Sequence, residues 1–251
     1  LPISIPVAAA LKSAGLTVQM VGAGLHAAGV TAEVAAEAAK AAGYSIEQIA
    51  VMLEEAYGLG EAAIAELLKT LGYGVVQVAE ALNGLGLSVQ EFADGLMQAG
   101  YDAIEIAEAM QAIGYELLDT ARELRRLNFE MQEIAQGLAQ YGPLGTPLAI
   151  ALNGAGYTAE EAARILQLTG FSVLESAAGL RAAGYGTVAV ARALHAVGYT
   201  MIQVAEALKA AGTPSVDTAA AIAEAFNATA AEVAETLAEI GYDAREVVEA
   251  L

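Results

Sequence analysis

His26 and His195 are the only two histidines of the chain, and there is no cysteine. A metal site or a general acid–base pair would need these two imidazoles side by side. They are far apart in sequence, so only the fold could bring them together, and the simpler reading makes them two surface residues near helix C-termini. A column of tyrosines, Tyr44, Tyr73, Tyr101, Tyr115, Tyr157, Tyr185, Tyr199 and Tyr242, is the next candidate. Such a column forms an aromatic edge that could stack on sugars or on itself, but a packing role at helix starts explains it equally well. Recurrent acidic positions could attract calcium, yet no oxygen-rich loop has EF-hand spacing. Arg122, Arg125 and Arg126 form the one basic cluster, read as a solvated helix face. Asn227-Ala228-Thr229 fits the N-glycosylation acceptor pattern, and Asn227 also falls where a helix should end. Runs such as Gly22-Ala23-Gly24 lack the preceding strand and the lysine of a phosphate-binding loop. No nucleophile–base pair and no metal-ligand set stands out, so the sequence predicts no catalytic residue and no cofactor.

What must position these residues is a repeat. Glycine returns at a fixed beat: Gly15, Gly29, Gly43, Gly58, Gly72, Gly86, Gly100 and Gly114. Asn128 takes one place, Gly142 to Gly212 continue the series, and Asn227 and Gly241 close it. The steps are of 14 residues, apart from two of 15, which end at Gly58 and Asn227. A short fixed period signals a stack of small units.

Counting from the residue after each glycine, position 1 is aromatic or aliphatic. Position 2 favours Ser, Thr or Asp, as at Thr17, Ser45, Ser88, Asp102, Thr158 and Ser172. These are helix N-caps, and Ser45/Gln48, Ser88/Glu91, Thr158/Glu161 and Ser172/Glu175 have capping-box spacing. Position 7 is nearly always alanine and position 10 nearly always leucine, as in Ala107 and Leu124. With positions 3, 6 and 13 they make one buried helical face. The closing Gly or Asn suits a left-handed residue that ends the helix. Basic residues gather at position 11, as at Lys12, Lys40, Lys69 and Lys209, where they complement the helix dipole and face Glu37, Glu66 and Glu206 at i,i+3 spacing. Each unit is thus one helix of roughly 10–11 residues and a short turn. A continuous coiled coil, the rival for a 14-residue period, does not accommodate a helix stop and a fresh N-cap in every unit.

The predicted fold is all-α: an α-solenoid superhelix of about 17 tandem 14-residue single-helix repeats. It is read as one elongated domain over 1–251 and as a segment of a longer array, since the first and last repeats carry no polar capping unit. No odd–even alternation is visible, so each helix should relate to the next by a similar screw. Repeat 142–156 is the irregular one, with a shortened helix. Tyr141, just before it, and Pro143, Leu144, Thr146 and Pro147 within it mark a candidate interaction notch.

Charge narrows the partners. A net charge of −19 disfavours nucleic acid, which demands clustered Lys and Arg. Two uncharged stretches, 13–32 and 134–159, are long enough to span a membrane, but both keep the repeat and are read as solenoid turns. The expectation is a non-catalytic structural or scaffolding protein that self-associates in a filament or a cell-surface assembly, with an extracellular or surface location favoured. The alternative is a protein- or peptide-binding solenoid. Salt should strengthen self-association by screening the shared negative charge.

Overall fold

A computed structural model describes residues 4–142 and 145–250. Pro143 and Leu144 of the expected notch therefore lie outside the described residues. Two units, 1–115 and 116–251, are each internally packed. The first holds α1 Ser4–Ser13, α2 Val18–Ala27, α3 Ala32–Ala41, α4 Ile46–Tyr57, α5 Glu61–Thr70, α6 Val75–Asn83, α7 Val89–Gln98 and α8 Ala103–Ala112. The second holds α9 Leu117–Arg126, α10 Met131–Leu138, α11 Gly145–Gly154, α12 Ala159–Leu168, α13 Val173–Ala182, α14 Thr187–Ala196, α15 Met201–Ala210, α16 Ser215–Phe226, α17 Ala230–Glu239 and α18 Ala244–Ala250, with one 3-10 turn at Ala139–Tyr141. There is no strand among the described residues. The chain is an all-α stack of tandem single-helix repeats, as the period predicts.

Local chemistry sets both ends of each helix. Ser88 Oγ accepts from the Glu91 amide at 3.3 Å, while the Glu91 carboxylate accepts from the Ser88 amide at 2.9 Å. The same reciprocal pair recurs at Ser45/Gln48, Thr158/Glu161, Ser172/Glu175 and Thr229/Glu232. These bonds hold the Glu91, Glu175 and Glu232 carboxyls below the ordinary range; at Glu91 and Glu175 the serine hydroxyl contributes most, and at Glu232 the Thr229 amide does. At the other end the Gly100 amide donates to Met97 O at 2.9 Å and the Tyr101 amide to Leu96 O at 3.1 Å. This paired closure requires a left-handed residue. Asn128 and Asn227 take that conformation with φ of 61° and 52°, which asparagine tolerates better than other side chains.

Within each unit the most extensive helix contacts join helices two apart, such as α2 with α4, α11 with α13 and α14 with α16; consecutive helices mostly touch less, with α3–α4 and α15–α16 the exceptions. Two stacks of alternate helices therefore interleave, although the sequence shows one kind of repeat. In these pairs the tight neighbour in space is 28 residues away rather than 14.

Burial shows which face does what. Position 7 is buried in every repeat from Ala8 to Ala219, then opens: Ala234 is half-exposed and Val248 is 76% exposed. Position 9 runs the other way. Ala10 and Gly24 are exposed, and the column from Ala38 to Thr236 is buried, with half-buried Leu67 the exception. Position 7 thus faces the helix two ahead and position 9 the helix two behind. Gly179 shows how close they come: a Cβ there would lie 3.2 Å from Ala149 Cβ and 3.3 Å from Gly145 O. At Gly22 a Cβ would run into the Met52 side chain. Small residues in these columns permit backbone-to-backbone packing, and the buried leucines of position 10 supply the apolar bulk.

Repeat 142–156 departs from expectation. Its helix α11 has the usual 10 residues, and the short one is α10, with 8 residues followed by the 3-10 turn. Gly142 adopts φ 92° and ψ −179°, a region open to glycine rather than the left-handed turn found elsewhere. The residue ahead of a proline is steered towards extended backbone, so Pro143 accounts for the changed ending.

Ala149→Leu should destabilise the protein by about 1–3 kcal/mol through overpacking, whereas Ala234→Leu should change stability by less than about 0.5 kcal/mol. Thermal denaturation of the two variants checks this. Equal losses would mean that position 7 does not face the next helix in its stack.

Candidate interaction surface

The residues singled out by chemistry converge on the C-terminal ends of the helices. Lys69, at position 11 of α5, donates to Gly100 O at 2.8 Å, beyond the end of α7, and its ammonium lies 4.0 Å from the centre of the Tyr101 ring. Lys12 reaches Gly43 O and sits 4.5 Å from the Tyr44 ring; Lys40 does the same with Leu71 O and Tyr73. Arg125 donates to Ala155 O at 3.0 Å and lies 4.9 Å from the Tyr157 ring. Lys209 donates to Gly241 O at 2.8 Å, beside Tyr242 at 4.3 Å. Neutral side chains play the same part: Asn153 donates to Ala183 O at 2.6 Å and Gln167 to Val197 O at 2.9 Å. The lysines are therefore not held by Glu37, Glu66 and Glu206 on their own helices. An ammonium gains more from helix-end carbonyls and an aromatic face than from a solvated i,i+3 carboxylate.

The tyrosines answer in the opposite direction. Tyr44 Oη donates to Leu16 O at 3.0 Å, Tyr157 to Ala121 O at 3.1 Å, Tyr185 to Tyr157 O at 2.7 Å and Tyr242 to Thr213 O at 3.2 Å. Tyr44, Tyr101 and Tyr157 are buried, and Tyr73, Tyr115, Tyr185, Tyr199 and Tyr242 are half-buried. The expected aromatic edge is thus a set of rungs between helices two apart, largely closed to a ligand.

Both histidines occupy position 11 and act within their own units. His26 Nδ1 meets Ala56 O at 2.5 Å and its ring stacks on Tyr57 with centroids 4.7 Å apart. His195 Nδ1 meets Ala225 O at 2.8 Å and stacks on Phe226 at 4.0 Å. The helices they reach, α4 and α16, are the two that contain the extra residue and run to 12 residues. There the aromatic ring closes the helix instead of following the stop, and a short flat imidazole meets it where a lysine would overshoot.

The arginine cluster lies on an exposed to half-buried helix face, and each arginine has an acidic neighbour. Arg125 lies 3.8 Å from Glu161, Arg122 3.6 Å from Asp119, and Arg126 Nε 2.6 Å from Glu123, whose side chain is almost fully buried. A buried carboxylate needs such a partner. Nearby, Thr120 and Tyr141 hydroxyls are 2.6 Å apart, which places Tyr141 of the notch against α9. Thr146 and Pro147 are exposed on the first turn of α11. A cavity of about 460 Å³ beside them is lined by Gly142, Leu148, Thr169, Phe171 and Glu175, among others. Among the described residues no group of three His, Asp or Glu side chains is placed to hold a metal ion, and no helix is long and apolar enough to cross a membrane.

No family model matches the chain, and no curated protein matches its sequence. The rung pattern was latent in the sequence as a basic residue followed 32 or 33 places later by tyrosine: Lys12/Tyr44, Lys40/Tyr73, Lys69/Tyr101, Arg125/Tyr157 and Lys209/Tyr242. That spacing acquires meaning only once helices two apart are known to touch.

Burial pushes the Tyr101 phenol from 10.0 up to about 12, with Glu105 adding to the effect; Tyr185 also rises to about 12, and Tyr157 is raised by burial against the pull of Arg125. The folded state holds these protons where the unfolded chain loses them. Their contribution to stability is therefore complete below about pH 10 and is lost as pH rises towards about 12. Tyrosinate absorbance should show a class titrating near 12 that moves to about 10 on denaturation. Tyr101→Phe should remove part of that class with little loss of stability, because the Tyr101 hydroxyl has no hydrogen-bond partner.

Proposed function

We propose that this chain is a non-catalytic structural repeat protein, a scaffold that associates with further copies of itself in a filament or surface assembly. One observation carries the reading. The polar and aromatic columns that could do chemistry are committed to the repeat: position 2 to N-caps, positions 1 and 11 to rungs between helices two apart. The acidic residues outnumber the basic ones 30 to 11, which suits phosphate backbones poorly. The alternative, a protein- or peptide-binding module, is favoured by the cavity beside α10 and α11, where Phe171 and Leu148 offer an apolar seat and Glu175 a charge.

Sedimentation over a series of protein and salt concentrations separates the two readings. A scaffold of net charge −19 should self-associate more strongly as salt screens its repulsion, the Debye length falling from about 30 Å at 0.01 M to about 8 Å at 0.15 M. A chain that stays monomeric throughout would favour the binding module.

A further inference from the structure

Where position 11 of one helix closes the C-terminus of the helix two ahead, the lysines show what that socket holds. Lys69 Nζ donates to Ala99 O at 3.4 Å and to Gly100 O at 2.8 Å, and it lies 4.0 Å from the centre of the Tyr101 ring. Lys209 Nζ donates to Ile240 O at 2.9 Å and to Gly241 O at 2.8 Å, with the Tyr242 ring at 4.3 Å. The socket is thus three consecutive residues: two carbonyls of the closing turn and the aromatic ring that follows them. An ammonium suits it because helix-end carbonyls and the face of an aromatic ring both attract positive charge.

At one joint of the second unit the sequence supplies the socket without a donor. Between α10 and α12 the position 11 residue is Ala139, whose side chain ends at a methyl group. The equivalent carbonyls belong to Thr169 and Gly170, just past the end of α12, and the ring after them is Phe171. Ala139, Thr169, Gly170 and Phe171 all line the cavity of about 460 Å³, together with Glu175. In the repeat they hold the places of Lys69, Ala99, Gly100 and Tyr101, and Glu175 holds the place of Glu105. Ala139 and Gly170 are exposed and Phe171 is half-buried, so the lining is open to solvent. The Thr169 hydroxyl is turned back to its own helix, donating to Ile165 O and Leu166 O at 2.9 Å each. Glu175 caps α13 as a carboxylate, accepting from the Ser172 amide at 2.8 Å, and brings a negative charge to the lining.

We propose that this cavity binds a primary alkylammonium group of another molecule, carried by a lysine side chain or by a free aliphatic amine. The ammonium donates to Thr169 O and Gly170 O and lies over the Phe171 ring. Its alkyl stem runs past the Ala139 methyl and Leu148, and Glu175 balances its charge. The volume falls within the range of small-ligand sites, about 300–1,000 Å³, which leaves space for an unbranched stem. A chain of net charge −19 also draws cations towards its surface. The ligand does not come from a second copy of the chain. Its four lysines, Lys12, Lys40, Lys69 and Lys209, each hold a socket of their own. The inference therefore goes beyond the self-associating scaffold reading and does not depend on it.

The test follows the NMR signals of the Ala139 methyl and the Phe171 ring while n-butylammonium or 1-butanol is added at fixed ionic strength. The ammonium should shift both signals saturably, and the uncharged alcohol should bind about tenfold more weakly. Ala139→Lys rebuilds the internal joint, so it should raise the melting temperature and abolish the Phe171 response. Gln140→Lys places the same charge on the neighbouring exposed residue and should keep the affinity within about twofold. No saturable shift with the ammonium, or butanol binding as tightly, would overturn the proposal. So would a Phe171 response that survives Ala139→Lys, or one that Gln140→Lys abolishes equally. A peptide, acetyl-Ala-Lys-Ala amide, separates the two sources of the ammonium. Binding about tenfold tighter than butylammonium assigns the site to a lysine of a polypeptide partner, and equal binding assigns it to free amines.

Discussion

Short helices leave a large share of their backbone carbonyls without an internal partner, and this is the constraint around which the protein is organised. A helix of 10 residues has four such carbonyls at its C-terminus, nearly half its length. The left-handed closure answers two of them through the amides of the stop and the residue after it, as at Gly100 and Tyr101. Others are answered from outside, by the position 11 side chain of the helix two behind. Lysine, arginine, asparagine, glutamine and histidine all do this work. What they share is an N–H group at the right reach.

The same bonds explain the register of the stack. Lys69 can reach Gly100 O only if α5 and α7 lie alongside with their C-termini together, and Tyr185 can reach Tyr157 O only under the same condition in the second unit. Small residues at positions 7 and 9 then allow the backbones to close in, as at Gly179 over Ala149. A larger side chain in either column would separate the helices and stretch the rungs. Packing and hydrogen bonding thus demand one spacing, which is how locally similar helices build a regular array without a large globular core.

Where the period slips, the joint is rebuilt rather than lost. In α4 and α16 the extra residue moves the aromatic ring from after the stop to before it, at Tyr57 and Phe226, and the partner two helices back is histidine in both cases. The two histidines, the most reactive side chains by type, are thereby explained by geometry. At Glu123 the position 9 column carries a buried carboxylate, and Arg126 one turn on neutralises it. At Gly142 the stop takes a different backbone form and α10 is shortened. These departures, rather than the regular repeats, mark where the surface changes character.

The sequence alone determined the local chemistry. Ser88 with Glu91 is an N-cap wherever it occurs, Asn227 ends a helix for reasons internal to its own turn, and an alternation of alanine and leucine at positions 7 and 10 defines one buried face. The helix lengths, the all-α class and the tandem repeat were legible because each depends on interactions within about four residues. What lay beyond reach was which helix covers which. The lysines of position 11 read equally well as partners of Glu37, Glu66 and Glu206 one turn away, and only stacking two apart turned them towards Gly100 O and its equivalents. The tyrosines read as local packing, and the fold made them donors to chain 28 or more residues away. The difference is physical. Capping and helix termination are settled by neighbours in sequence, whereas a long flexible side chain chooses among several acceptors, and the choice falls to whatever the tertiary packing brings within reach.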